Sequence, residues 1–182
     1  MNGGNGDRRV LVAGIGNLFL GDDGFGVEVV RRIDPCSLPA SVDVVDYGIR
    51  GVHLAYDLLE GRYDSLILVD AVPTGEAPGT ISVLEVDAAD PAPEREADAQ
   101  GPLPVDGHGM TPTAVLATLH SLGGAVDRVL VVGCQPALVE ERMALSEAVR
   151  VSVEEAAGLV TRLAAEEAGV AGARSGGAVE VG

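Results

Sequence analysis

Continuous apolar runs alternate along this chain with segments whose apolar positions recur every three or four residues. Residues 9–13 (RVLVA) form a short apolar run that ends in Gly14-Ile15-Gly16-Asn17, which predicts a strand and then a turn. From Gly24 onward Val27, Val29, Val30 and Ile33 fall at helical spacing, and Asp34-Pro35 closes the helix. Residues 41–45 (SVDVV) alternate and predict a second strand, followed by Asp46-Tyr47-Gly48. Leu54, Leu58 and Leu59 mark a short helix ended by Gly61. Residues 65–69 (SLILV) are apolar almost throughout, as expected of a strand buried on both faces, and the run stops at Asp70. Residues 80–86 (TISVLEV) alternate again and predict an added strand. Val115, Leu116, Leu119 and Leu122 share a helical face, residues 128–132 (RVLVV) predict another buried strand, and Val149 to Leu163 step through a final helix.

Strands that alternate with helices predict one α/β domain, residues 1–168, with a mainly parallel sheet covered by helices on both faces. Residues 169–182 turn to Gly, Ala and Ser and are expected to be a disordered tail. Residues 87–105 are Pro-rich and acidic and predict a long loop leading into His108. In such sheets ligands gather beyond the C-terminal strand ends. Gly16 to Asp23, Asp70 and His108 all fall where that rule places a site.

Composition narrows the picture. The chain has 182 residues, 47% of them apolar but only 3% aromatic, so Val, Leu and Ala must fill the core. Its net charge is −16, and all twelve basic residues are Arg. So acidic a chain repels a phosphate backbone, which argues against a nucleic-acid partner. The lack of Lys excludes a P-loop lysine and a Schiff-base nucleophile. Two cysteines, Cys36 and Cys134, are too few for a disulfide framework or a structural zinc site. With a polar, Gly-rich start and no apolar run near the ~20 residues needed to cross a bilayer, the chain is expected to be cytoplasmic and free of membranes.

The turn from Gly14 to Gly26 (GIGNLFLGDDGFG) departs from a dinucleotide-binding loop, because Phe19 stands where the third glycine is needed. Its two carboxylates would face a pyrophosphate's charge; they suit a cation or a helix cap. Asp22 is expected to cap the following helix, and Asp23, which cannot use the same geometry, is left for function. Asp70, after five apolar or small residues, has to be solvated, hydrogen-bonded or bound to a cation. His108 lies between glycines in Asp106-Gly107-His108-Gly109. Two carboxylates and an imidazole make an O,O,N set for a divalent metal such as nickel or zinc. No H-E-x-x-H helix and no G-x-S-x-G elbow is present. Cys36 is expected in a surface loop, Cys134 at the end of a buried strand, and His53 and His120 on the surface.

The segment 14–26 with the helix VEVVRRI after it resembles the signature of the hydrogenase maturation proteases. The likeness continues through Asp46-Tyr47-Gly48 with Gly51 and Leu54, LILVDAV ending around Asp70, APGT at 77–80, GHGMTP at 107–112 and VVG at 131–133. It implies a twisted sheet of about five strands flanked by helices. It implies an aspartic-type endopeptidase that removes the C-terminal extension of a nickel-loaded NiFe-hydrogenase large-subunit precursor. By the same likeness, the positions of Asp23, Asp70 and His108 serve as metal ligands and catalytic residues. Nickel, the only cofactor implied, arrives in the precursor, and the enzyme is expected to act as a monomer. Gly48, Arg50 and Gly51 are expected to shape the cleft, with Arg50 either holding a substrate carboxylate or solvated. Cys134-Gln135-Pro136 departs from the family's Ile-Glu-Pro-like run. Two other readings use the same residues: a nickel-binding chaperone without peptidase activity, and a nucleotide binder at the 14–26 turn.

Overall fold

The protein is described from a computed structural model, which covers residues 8–86 and 111–169. Five strands form one sheet: β1 Val10–Ile15, β2 Val42–Gly48, β3 Ser65–Ala71, β4 Ile81–Val86 and β5 Arg128–Cys134. Their order is β2-β1-β3-β5-β4; all neighbours are parallel except β4, which runs antiparallel to β5. The helices are α1 Phe25–Arg32, α2 Gly51–Leu59, α3 Pro112–Ser121 and α4 Glu147–Gly169. This is the single α/β domain that the alternating pattern predicts, with β4 as the added edge strand. Two predicted features lie outside the described residues: the acidic loop 87–105 and, beyond Gly169, the tail.

Both faces of the sheet are covered, and the alternation of side chains along each strand decides what packs where. Val10, Val12, Ile67, Val69 and Val132 pack with α1 and α4. Leu11, Ala13, Leu66, Leu68 and Val131 point the other way, onto α2 and α3. All six residues of β1 are buried, consistent with a central parallel strand. Glycine sets how closely α1 approaches the sheet. A methyl group at Gly26 would run into the carbonyl oxygens of Val69 and Ile15, so the start of α1 rests directly on β1 and β3.

Four strands run past the ends their apolar runs predict; β1 and β5 each extend two residues, to Ile15 and Cys134. β2 continues past Val45 to Gly48, where Asp46 pairs with Gly14 and Gly48 with Ile15. β3 continues through Asp70 and Ala71, which pair with Gly133 and Cys134 of β5. The backbone ladder with a neighbouring strand holds these polar residues in extended conformation whatever their side chains prefer. Among the described residues no helix is long and apolar enough to cross a membrane.

Candidate active site

β1 delivers the chain to the C-terminal edge of the sheet, and a compact turn brings it back into α1. Gly16, at φ +128°, donates its N–H to Gly48 O at 3.0 Å, and a side chain there would collide with the carbonyl of Asp23. Asn17 then fixes the turn from both ends. Its side-chain oxygen accepts from Phe19 N at 2.9 Å, and its own N–H donates to the Asp23 carboxylate at 2.7 Å. A short 3-10 turn, Gly21–Gly24, leads into α1.

The two adjacent aspartates of this turn have opposite fates. Asp22 is fully buried, 0% exposed, and its carboxylate accepts four hydrogen bonds: Ala137 N at 2.8 Å, Leu138 N at 2.9 Å, Ser146 N at 2.6 Å and Ser146 Oγ at 2.8 Å. It therefore does not cap its own helix, as the sequence suggests; it ties down the segment between β5 and α4, more than a hundred residues away. Burial alone would raise its pKa, but the hydrogen bonds from Leu138, Ser146 and Ala137 outweigh that and hold it below the usual carboxylate value. Asp23 is half-buried, and its carboxylate accepts from Asn17 N.

Asp70 sits at the end of β3 with 5% of its surface exposed, and Ala71 N donates to its Oδ1 at 2.8 Å. Burial pushes its pKa well above the usual carboxylate value, the negative charge of Asp23 pushes further the same way, and the Ala71 N–H only partly offsets them. The fold thus brings Asp23 and Asp70, 47 positions apart in sequence, within electrostatic reach of each other at one sheet edge. His108, the third residue of the predicted set, lies outside the described residues. Among the described residues no three His, Cys, Asp or Glu side chains group as a metal site.

Clefts open on both sides. One, of about 400 Å³, is walled by Asn17, Leu18, Phe19, Tyr47, Ile49 and Arg50 and reaches the backbone that holds Asp23. The other, of about 280 Å³, contains Asp70 itself with Val72, Pro73, Leu84, Thr111 and Pro112. Gly48 and Arg50 line the first cleft as expected, whereas Gly51 opens α2. Arg50 spends two donors on its own turn, Nε to Tyr47 O at 3.1 Å and an Nη to Asp46 O at 2.6 Å. Its first role is therefore to brace the 46–51 turn. Tyr47 braces the same turn from inside, its hydroxyl on Asp57 at 2.6 Å.

Cys36 is exposed on the 3-10 turn Pro35–Ser37. Cys134 is buried at the end of β5, and burial, with the charge of Asp22 adding to it, pushes its thiol up to about 11, so it is protonated at neutral pH. His53 and His120 are exposed on α2 and α3. Gln135, where the resemblance implies an acid, accepts through Oε1 from Thr74 N at 2.6 Å and Gly75 N at 2.9 Å. It so holds the loop that follows Asp70, an acceptor role that a carboxylate fills equally well. Neither this loop anchor nor the partners of Asp22 carries a local signal in sequence, because each contact spans 60 or more positions.

Comparison with known proteins agrees with this architecture. The profile of the hydrogenase maturation protease family (HycI) matches residues 27–163, a stretch that includes Asp70 and His108 and begins just after Asp23. A Methanocaldococcus jannaschii protein, provisionally named a hydrogenase maturation protease, is 33% identical over 152 residues, covering 82% of this chain and 92% of its own. The hydrogenase expression/formation protein HupD of Rhodobacter capsulatus is 36% identical over 135 residues, 74% of this chain and 60% of that longer protein. Among solved structures, the hydrogenase maturating endopeptidase HybD from E. coli superposes with a TM-score of 0.64 at 26% identity, covering 85% of this chain and 91% of that one. With the profile spanning most of the chain and the fold shared, the protein belongs to the hydrogenase maturation protease family.

Proposed function

We propose that this protein is the endopeptidase that removes the C-terminal extension of a nickel-loaded NiFe-hydrogenase large-subunit precursor. The observation that supports the reading is a buried Asp70 within electrostatic reach of Asp23 at the sheet's C-terminal edge, with one cleft lined by Asp70 itself and another by Asn17, which bonds the Asp23 carboxylate. A buried Asp70 with the negative charge of Asp23 in reach is costly to ionise, and a cation brought in by the substrate relieves that cost. His108 completes the set.

In this mechanism the precursor's nickel is substrate, and Asp23, Asp70 and His108 grip it from the enzyme side. The metal polarises the scissile carbonyl or acidifies a bound water. Asp70 or Asp23 serves as general base, taking the proton of the attacking water. Water attacks the carbonyl carbon, its proton passes to the carboxylate and then to the leaving amine, and the C–N bond breaks. We assign the reaction to a monomeric enzyme in the cytoplasm.

The deciding experiment incubates purified protein with nickel-loaded and nickel-free precursor and follows intact mass. Loss of a C-terminal peptide from the loaded form alone is expected, and Asp70→Asn should reduce its rate at least about 100-fold. Stable association with loaded precursor but no shortening would instead mark a nickel-binding chaperone.

A further inference from the structure

Asp22 is buried and adjacent to Asp23, and its carboxylate is engaged by residues 137–146. A carboxylate has about four acceptor positions. Three backbone N–H groups and one hydroxyl of residues 137–146 bond to this one, three of them at Oδ2 and one at Oδ1. The backbones of the same two segments are also laced together. Gly21 N donates to Arg142 O at 2.7 Å, Asp22 N to Leu138 O at 2.9 Å, and Arg142 N to Phe19 O at 2.9 Å.

The turn's own hydrogen bonds are weaker than these. Leu20 N to Asn17 O measures 3.1 Å and Asp23 N to Leu20 O 3.4 Å, at the long end of what counts as a bond. Among the described residues, the backbone N–H of Asn17 holds the Asp23 carboxylate itself. Asp23 meanwhile faces Asp70, whose ionised form repels it. Asn17 braces the turn from within, through Phe19 N and the Asp23 carboxylate, and the 137–146 segment braces it from outside.

We propose that Asp22 is the positioning residue of the peptidase site: by clamping the 137–146 segment onto the 17–24 turn, it holds Asp23 opposite Asp70. The inference rests on the peptidase reading above. It gives the Asp-Asp pair of the turn a division of labour, one carboxylate facing inward to fix the backbone and the other facing the substrate.

Asp22→Asn tests it with little change in shape, since an amide turns one acceptor oxygen into a donor aimed at N–H groups. At saturating nickel-loaded precursor, kcat per folded molecule should fall about 10- to 100-fold while KM changes less than about threefold. A role in stability alone would lower the amount of folded enzyme and leave kcat per folded molecule intact; that result overturns the proposal, as does a loss confined to KM. Ser146→Ala removes only the hydroxyl donor and should lower kcat by about two- to fivefold at nearly unchanged Tm. An unchanged kcat in this variant overturns the proposal even where Asp22→Asn does not fold. The amide proton of Asn17, bonded to the Asp23 carboxylate, reports the same placement without turnover. In Asp22→Asn it should move upfield and exchange faster in NMR, and an unmoved resonance refutes the clamp. Wild-type protein that cleaves no precursor would defeat the peptidase reading, while the NMR result would still decide the clamp.

Discussion

Asp22 and Asp70 are both almost out of reach of water, yet they lie on opposite sides of the usual carboxylate pKa of 3.8. Asp22 has enough donors to outweigh its desolvation; Asp70 has one N–H and a negative neighbour. Their effects on stability are therefore opposite in sign. The lowered pKa of Asp22 stabilises the fold above the ordinary carboxylate range, a contribution lost as pH falls through its folded-state value. The raised pKa of Asp70 means the folded protein holds that proton more tightly than the unfolded chain. Its ionisation therefore erodes stability as pH climbs from 3.8 towards the raised value, and the cost persists above it. Asp70→Asn keeps the oxygen that accepts from Ala71 and removes the charge. It should abolish cleavage while stabilising the protein by about 0.5–2 kcal/mol in urea at neutral pH, the trade expected where an active site is strained for function. A lower urea midpoint would mean that another group compensates the Asp70 charge.

At the scale of elements, the site depends on how closely α1 lies on the sheet. The carbonyls of Val69 and Ile15 leave no room for a methyl group on Gly26, and Gly14 is similarly crowded by the Gly26 carbonyl and Val30. Gly26→Ala should gain the usual helix preference for Ala but lose far more to the clash, for a net cost of about 2–3 kcal/mol by chemical denaturation. Because α1 starts two residues after Asp23, the shift should also depress cleavage by the folded fraction. Wild-type stability in this variant would show that the helix can slide without penalty. The hydrophobic pattern identifies every described strand and α-helix, since each buries a face with its own period. It ends β2 and β3 too early, because the residues beyond Val45 and Val69 are polar and owe their extended form to ladder partners on other strands.

For the whole molecule, 28 acidic residues against twelve basic ones leave a compact body that repels itself. Several arginines already sit in exposed ion pairs, such as Arg9–Asp43 and Arg31–Asp46, which contribute little each. Moderate salt should screen the excess repulsion more than it weakens these pairs, so Tm should rise by a few degrees between about 20 and about 300 mM NaCl. A fall would show that attractive pairs dominate. The sequence alone was enough to establish the α/β class, the order of elements, the resemblance to maturation proteases and the candidacy of Asp23 and Asp70, because periodicity and short motifs are local properties. Only the tertiary structure could give Asp22 its clamp on residues 137–146, turn Arg50 onto its own backbone and set Asp23 against a buried Asp70. Those outcomes depend on which distant donors and charges meet at the sheet edge, and burial decides how strongly each is felt.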